Sequence, residues 1–506
     1  MGSLTAKSSN TNKVIVIGLD GATFNVLNPM MEKGIMPNLK KLIKKGIFGE
    51  IDTYVTGMGQ GWVSFMTGKD PVKHGIFYWT LSKGVTSSFI KDKTLWDILS
   101  DYGKKVGLIN VPYTYPPKQI NGFLISGLGG GVLPSTKVVF TYPQELYSEI
   151  LREVGKYERG WITLDYEDPF KFVNKIIQVT KLRIKTAKYL YKKYDCDFFM
   201  IVFRGMDAIQ HRLWNYIDFK FTSEDDIKVV NLIQSYYNLV DSYIGMIIKQ
   251  NPDKNIFIIS DHGFVPSKAI VYLNEFLAQK GYLVKNEPKV NLKLKVLEIA
   301  KMLLGAYYKK FLMYRFINKF NKFRTKKLKL SRLESSTNWD QTLAFASSPF
   351  GISINLKEKY TNLREKYEKL RKAIITELSQ LKYPDSGENV FEKVYKKEAI
   401  NLQRNFEIAP DILFEYTEGF QGNVEINFKN KTIFMSLAKE RFKFGTGIHA
   451  RNGILIAWGK CIKNNLKIKN AKIIDVAPTI LSIIGLPIPN DMDGRVLKEI
   501  IKTKGK

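Results

Sequence analysis

The chain has 506 residues and a net charge of +30, from 78 Lys and Arg against 48 Asp and Glu. A hydrophobic fraction of 44% excludes global disorder and suffices for one large elaborated domain or two to three smaller ones. Two cysteines, Cys196 and Cys461, exclude a disulfide framework and a cysteine-based zinc finger, so any metal has to use oxygen and imidazole ligands.

Residues 1–12 are polar and predict a disordered tail. No apolar stretch of the kind that directs secretion opens the chain, and no apolar run reaches spanning length; the expectation is a soluble, cytoplasmic protein. Val14-Ile15-Val16-Ile17-Gly18 predicts a buried parallel strand. Asp20, in Gly18-Leu19-Asp20-Gly21, stands at its carboxyl end, where α/β proteins place ligands. Pro37 opens a helix through Leu42, and Trp62 to Gly68 reads as a short helix whose N-terminus near 58–61 offers free N–H groups to an anion. A strand follows at 104–110. The stretch 111–165 is rich in Pro, Gly and Tyr and is read as an irregular excursion.

Helical spacing over 170–193 precedes a strand at 197–203, and Asp207 and His211 come next. A second helix at about 226–250 leads to the strand 256–259 and then to Asp261-His262. This alternation argues for an α/β fold with a predominantly parallel sheet and helices on both faces. Residues 289–332 differ, with fourteen Lys and Arg against the single acid Glu298. Leu292, Val296, Ile299, Leu303 and Tyr307 fall at helical spacing there, which makes a basic amphipathic helix. The plainer reading is a cap helix with a solvated basic face; the alternative is a segment lying on an anionic membrane surface, which would make the protein peripheral to the membrane. Another charged helix is expected at 359–382, strands over 408–460, and a last helix from Ile474. The domain reading is a first part of the α/β domain at 13–270, a helical basic cap at 271–340, and the remainder of the α/β domain at 341–506.

Only four histidines occur: His74, His211, His262 and His449. Asp20, Asp207 and Asp261 each follow a predicted strand, His211 lies four residues after Asp207 on one helical face, and His262 adjoins Asp261. Three carboxylates and three imidazoles are enough for two divalent ions with open positions, zinc first and manganese second. Two adjacent ions clamp a displacement at phosphorus. Nothing matches a phosphate-binding P-loop or a nucleic-acid module. Trp62 could stack on a base or aromatic leaving group, and Lys69 could touch phosphate, although packing and solvation are the commoner roles of such residues.

In sequence order, Gly18-Leu19-Asp20-Gly21, Trp62-x-Ser64-Phe65-x-Thr67-Gly68-Lys69-x-Pro71-x-x-His74-Gly75, Asp207-x-x-x-His211, Ser260-Asp261-His262-Gly263-Phe264 and His449-x-x-Asn452-Gly453 resemble the alkaline-phosphatase superfamily. The closest likeness is to its type I phosphodiesterase/nucleotide pyrophosphatase branch. The resemblance implies an alkaline-phosphatase-like fold and a phosphate-ester hydrolase acting on anionic substrates. It also implies that Asp20, Asp261 and His262 hold one ion beside the nucleophile, that Asp207, His211 and His449 hold the other, and that His74 is scaffold.

One position departs from that pattern. The resemblance implies a Thr or Ser nucleophile nine residues before Thr67, where this chain has Met58. A thioether has no hydroxyl to deprotonate. Three readings stay open: the glycine-rich loop Thr56-Gly57-Met58-Gly59-Gln60-Gly61 shifts so that Thr56 attacks, water attacks directly, or the chain is a catalytically weak metal binder that recognises phosphorylated ligands. Transfer of a phospho-group at a membrane surface is a further alternative, suggested by 289–332.

Overall fold

The computed structural model describes residues 12–53, 60–78, 86–127, 139–158, 168–217, 223–286, 333–356, 362–426, 432–436 and 446–502. Thr56, Met58, and the basic segment 289–332 lie outside these residues.

Seven strands open the fold: β1 (Val14–Leu19), β2 (Ile47–Asp52), β3 (Val106–Val111), β4 (Gly122–Ser126), β5 (Thr141–Tyr142), β6 (Phe198–Phe203) and β7 (Asn255–Ile259). They join β17 (Asn452–Gly459), β18 (Leu466–Lys467) and β19 (Ala471–Lys472) in a ten-stranded sheet. Its order is β18-β2-β17-β7-β1-β6-β3-β4-β5, with β19 also on β2. The central β7-β1-β6-β3-β4 ladders are parallel, β17 runs antiparallel to both of its neighbours, and β5 antiparallel to β4. The α/β, predominantly parallel expectation holds.

The central strands are apolar on both faces because both faces are covered. Alternate residues go to opposite cores: Ile15, Ile17, Phe199, Ile201, Ile256 and Ile258 to one, Val14, Val16, Phe198, Met200, Phe257 and Ile259 to the other. Truncating one of the buried phenylalanines, such as Phe199, costs about 3–5 kcal/mol. Helices α1 (Phe24–Glu32), α2 (Pro37–Lys45), α3 (Gly61–Thr67), α4 (Pro71–His74), α5 (Leu95–Asp101), α6 (Leu146–Glu153), α7 (Pro169–Lys193), α8 (Gly205–Ile217) and α9 (Glu224–Gln250) flank it. Pro at the first position starts α2 and α7, and the Asp168 carboxylate caps α7. Gly68 closes α3 in the left-handed conformation, as its place after Thr67 predicts.

The 111–165 excursion is more regular than its composition indicates. β4, β5 and α6 lie inside it, and β4 adds a parallel strand beside β3. Its Phe123-Leu124-Ile125 run is short, and the surrounding Pro and Gly conceal it in the sequence.

Past β7, a two-stranded ribbon forms from β8 (Gly263–Pro266) and β16 (Gly447–Ala450). Between these, β9 (Ala269–Tyr272), helix α10 (Leu273–Gln279), β10 (Ala344–Ser348), β11 (Gly351–Ile354), helix α11 (Leu363–Ser379), β12 (Phe391–Lys396), β13 (Ile412–Tyr416), β14 (Phe420–Asn423) and β15 (Phe434–Ser436) build two small sheets. They enclose a core of their own around Phe276, Ile374, Phe391 and Phe414. Among the described residues, the strands from 344 to 436 pair with one another or with β9, and the chain rejoins the large sheet at β17. Helix α12 (Val476–Ile484) packs last, capped by Gly485. No helix among the described residues is long and apolar enough to cross a membrane.

Candidate metal centre

Three adjacent strands, β7, β1 and β6, deliver their carboxyl ends to one place. Asp20 follows β1, Asp207 lies in the first turn of α8 just after β6, and Asp261-His262 follows β7. Backbone hydrogen bonds lock these ends together: Asp20 N donates to Phe203 O at 3.0 Å and Asp207 N to Asp20 O at 3.1 Å. His449 arrives on the ribbon, opposite Phe264 in the β16–β8 ladder. Its ring stacks on that of His262 with centroids 3.6 Å apart. Gly61, the first residue of α3, permits close approach from the other side: a Cβ there would stand 2.1 Å from Asp261 O.

The donors form two groups, Asp20 with Asp261 and His262, and Asp207 with His262 and His449, the donor atoms within each lying within 4.8 Å of one another. The first is the trio the family resemblance implies. In the second, His262 appears in the place expected of His211. His211 is nevertheless adjacent, with Nε2 3.3 Å from Asp207 Oδ1 and 2.8 Å from His449 Nε2. His449 Nε2 also stands 3.3 Å from Asp207 Oδ1. All six expected residues therefore converge, and His262 Nε2 sits between the groups, 3.6 Å from Asp20 Oδ1, 3.6 Å from Asp261 Oδ2 and 3.8 Å from Asp207 Oδ1.

Two observations show that this donor set suits divalent ions. Ligands held about 2.0–2.1 Å from a tetrahedral ion stand roughly 3.4 Å from each other, close to most of the separations above. The imidazoles are also oriented through their far nitrogens. His211 Nδ1 lies 3.2 Å from Gly447 O and His262 Nδ1 3.0 Å from Gly263 O, so Nδ1–H donates to the carbonyl and the Nε2 lone pair is left for a cation.

Electrostatics point the same way. Burial, with Asp20 close by, pushes Asp261 up to about 8. Burial and Asp207 raise Asp20 as well. Burial and the neighbouring His262 hold His449 down at about 3, which keeps its imidazole neutral. Burial disfavours an imidazolium at His262, yet Asp261, Asp20 and Asp207 outweigh it and raise its pKa. Burial of neighbouring carboxylates thus opposes their ionisation, and a bound cation would favour it.

Trp62 and Lys69, the two residues considered for substrate contact, are both buried and have partners within the protein. The Trp62 ring is buried, and its Nε1–H donates to Asp20 Oδ2 at 3.2 Å, which orients that carboxylate. Lys69 is buried in ion pairs, with Asp92 Oδ1 at 2.7 Å and with Asp491. Its ammonium is occupied by scaffold carboxylates. His74 accepts from Ile76 N at Nδ1 (3.0 Å) and therefore donates from Nε2 to Ser64 Oγ (3.1 Å), inside the protein behind α3.

Sequence reasoning assigned no role to three residues. Arg204 donates from Nε to Asp20 Oδ2 at 3.2 Å. Ser260 donates to Ala22 O and accepts from Ile454 N, tying the β1 and β7 ends to β17. Gln210, fully buried, donates to Gly21 O at 2.8 Å. Arg204 left a local signal, a lone charge between the apolar β6 and Asp207.

Solved structures with the same fold agree with this architecture. Human ectonucleotide pyrophosphatase/phosphodiesterase 5 superposes with a TM-score of 0.51 at 12% identity, covering 97% of this chain and 100% of that one. The murine protein of the same description gives 0.50 at 13% identity with the same coverage, and a structure of its inactive variant in complex with AMP gives the same values. Identities this low carry the fold alone. No curated protein sequence matches the chain. The family described as "Type I phosphodiesterase / nucleotide pyrophosphatase" matches residues 14–429, which include five of the six clustered residues; His449 lies beyond them. Over four-fifths of its length, and with that fold around the cluster, the chain belongs to the type I phosphodiesterase/nucleotide pyrophosphatase family.

Proposed function

We propose that the protein hydrolyses phosphate esters, diesters of the nucleotide type first, at a centre of two divalent ions, zinc before manganese. The observation that carries this reading is the convergence of three carboxylates and three imidazoles at the ends of β7, β1 and β6. Asp20, Asp261 and His262 would hold one ion; Asp207, His211 and His449 would hold the other. Bound there, the ions would neutralise phosphoryl oxygens and make an attacking hydroxyl more acidic.

The chain's own groups set the geometry. Gly447 O and Gly263 O fix two imidazoles by accepting their Nδ1–H protons. Trp62 and Arg204 fix the carboxylate of Asp20. Gln60 caps the start of α3 and accepts a 2.5 Å hydrogen bond from the Tyr113 hydroxyl, which anchors the chain where it emerges from 54–59. That segment holds Thr56, the nucleophile we favour, and Met58. The family match supports a substrate of the nucleotide type.

The test is metal content followed by hydrolysis of an aryl phosphodiester with and without chelator. Loss of activity in both Thr56→Ala and Asp261→Ala supports Thr56. Loss in Asp261→Ala alone supports direct attack by water. Two bound ions without turnover supports the alternative, a weak relative that recognises phosphorylated ligands. Attachment of 289–332 to acidic lipid, at the cytoplasmic face, is the alternative to a cap with a solvated basic face; unchanged liposome flotation after deleting that segment would sink it.

A further inference from the structure

Each carboxylate of the cluster has two oxygens, and the structure divides their work. Asp20 Oδ1 faces His262, whereas Asp20 Oδ2 accepts from Trp62 Nε1 and from Arg204 Nε, both at 3.2 Å. Asp207 Oδ1 faces His211, His449 and His262, whereas Asp207 Oδ2 lies 4.0 Å from Arg204 Nη2. One guanidinium thus spans the rear oxygens of two carboxylates that belong to different donor groups. Their front oxygens are left facing the imidazoles.

We propose that Arg204 is a positioning residue, an internal cation that keeps the two halves of the cradle together until divalent ions arrive. The inference rests on the two-ion reading above. Arg204 is placed by its chain position: it follows β6 directly and precedes α8, so its backbone is set by the sheet. Gly205 packs against the Tyr236 hydroxyl, where a Cβ would stand 2.3 Å away, and this holds the turn. The Arg204 side chain keeps about a third of its surface exposed, at 34%, while the carboxylates beneath it are nearly covered, at 5% and 12%.

A guanidinium suits this task better than an ammonium. Its planar fork reaches two carboxylates from one side and remains charged at any accessible pH. Without it, Asp20, Asp207 and Asp261 would share a buried space with no fixed positive charge among the described residues that pairs with them. Such uncompensated burial is strongly destabilising. Divalent ions supply the same compensation once bound, so the protein needs Arg204 most when it is metal-free. By linkage, a change that harms the metal-free form more than the loaded form must enlarge the stabilisation that the metal confers.

The experiment compares wild type, Arg204→Lys and Arg204→Gln as full-length protein, chelator-stripped and zinc-loaded. It reads melting temperature by calorimetry and metal content. In the stripped form, Arg204→Gln should lower the melting temperature by about 2–4 °C. In the zinc-loaded form it should lose less than half as much, with Arg204→Lys in between in both forms. Equal losses in both forms would mark an ordinary scaffold residue and overturn the proposal, as would no loss in the stripped form. If wild type itself binds no zinc, the two-ion reading fails on its own evidence and this inference falls with it; the first two outcomes, in a protein that does bind zinc, remove only the role of Arg204.

Discussion

Two clusters of charge lie close together in this fold, and they differ in balance. Behind α3 and α4, Asp92, Asp491 and Asp493 meet Lys69, Lys73 and Arg404. Three acids face three cations, and the partners are satisfied. At the ends of β7, β1 and β6, three carboxylates and three imidazoles meet one guanidinium. The first cluster joins distant parts of the chain: Arg404 comes from the inserted sheets, Lys69 from the loop after α3, and Asp491 from near the C-terminus. Burial opposes the ionisation of Asp92, but Lys69 and Arg404 hold its pKa below the usual carboxylate range. At Asp261 in the second cluster the same burial is not offset, and its pKa rises to about 8, whereas His211 and His449 hold Asp207 well below the usual carboxylate range. A balanced network needs nothing more and serves as scaffold. Perturbed carboxylates such as Asp261 cluster at functional sites.

Breaking each cluster should give opposite signatures. The largest effect is expected for Asp207→Ala, which removes the carboxylate facing all three clustered imidazoles. Phosphodiester hydrolysis should fall roughly 10³-fold or more, about 4 kcal/mol of transition-state stabilisation, with one ion lost per chain by elemental analysis. Asp92→Ala strands two buried or half-buried cations and should cost about 3–5 kcal/mol in denaturant unfolding while metal content stays at the wild-type value. A drop in metal content there would break the distinction between the clusters.

Trp62→Phe is smaller and sharper. It deletes one hydrogen bond to Asp20 and should weaken zinc binding about 10-fold by calorimetric titration, with little change in fold. The smallest effect concerns His74, which burial holds down at about 3. A folded pKa lowered from 6.5 means that the unfolded chain takes up a proton the native protein refuses. Its stability contribution is therefore complete above about pH 6.5 and is lost as pH falls from there towards 3. His74→Gln should flatten the fall of stability across that window without moving the pH dependence of metal binding; an unchanged slope would show that other groups dominate acid unfolding.

The cluster was readable because its members carry local signatures. A β-branched run followed by an acid marks β1 with Asp20, and an apolar run followed by Asp-His marks β7 with Asp261 and His262. His211 follows Asp207 by one helical turn, so that pair needs no tertiary information either. Lys69 and Trp62 were not readable in the same way. Their partners, Asp491 and Asp20, are 422 and 42 residues away, and a lysine or tryptophan has the same local pattern whether it meets a ligand or a carboxylate. Composition misled over 111–165, where the short strand β4 is hidden among Pro and Gly.

The sequence by itself determined the α/β alternation, the identity of the six clustered residues and the places of Asp20, Asp207 and Asp261 after strands, because periodicity and strand-end position are properties of short segments. The tertiary structure decided which oxygen of each carboxylate faces the imidazoles, that His449 reaches them on a ribbon paired to β8, and that Arg204 spans the two halves. Those depend on contacts between residues up to hundreds of positions apart, and only the packed sheet brings them within hydrogen-bonding distance.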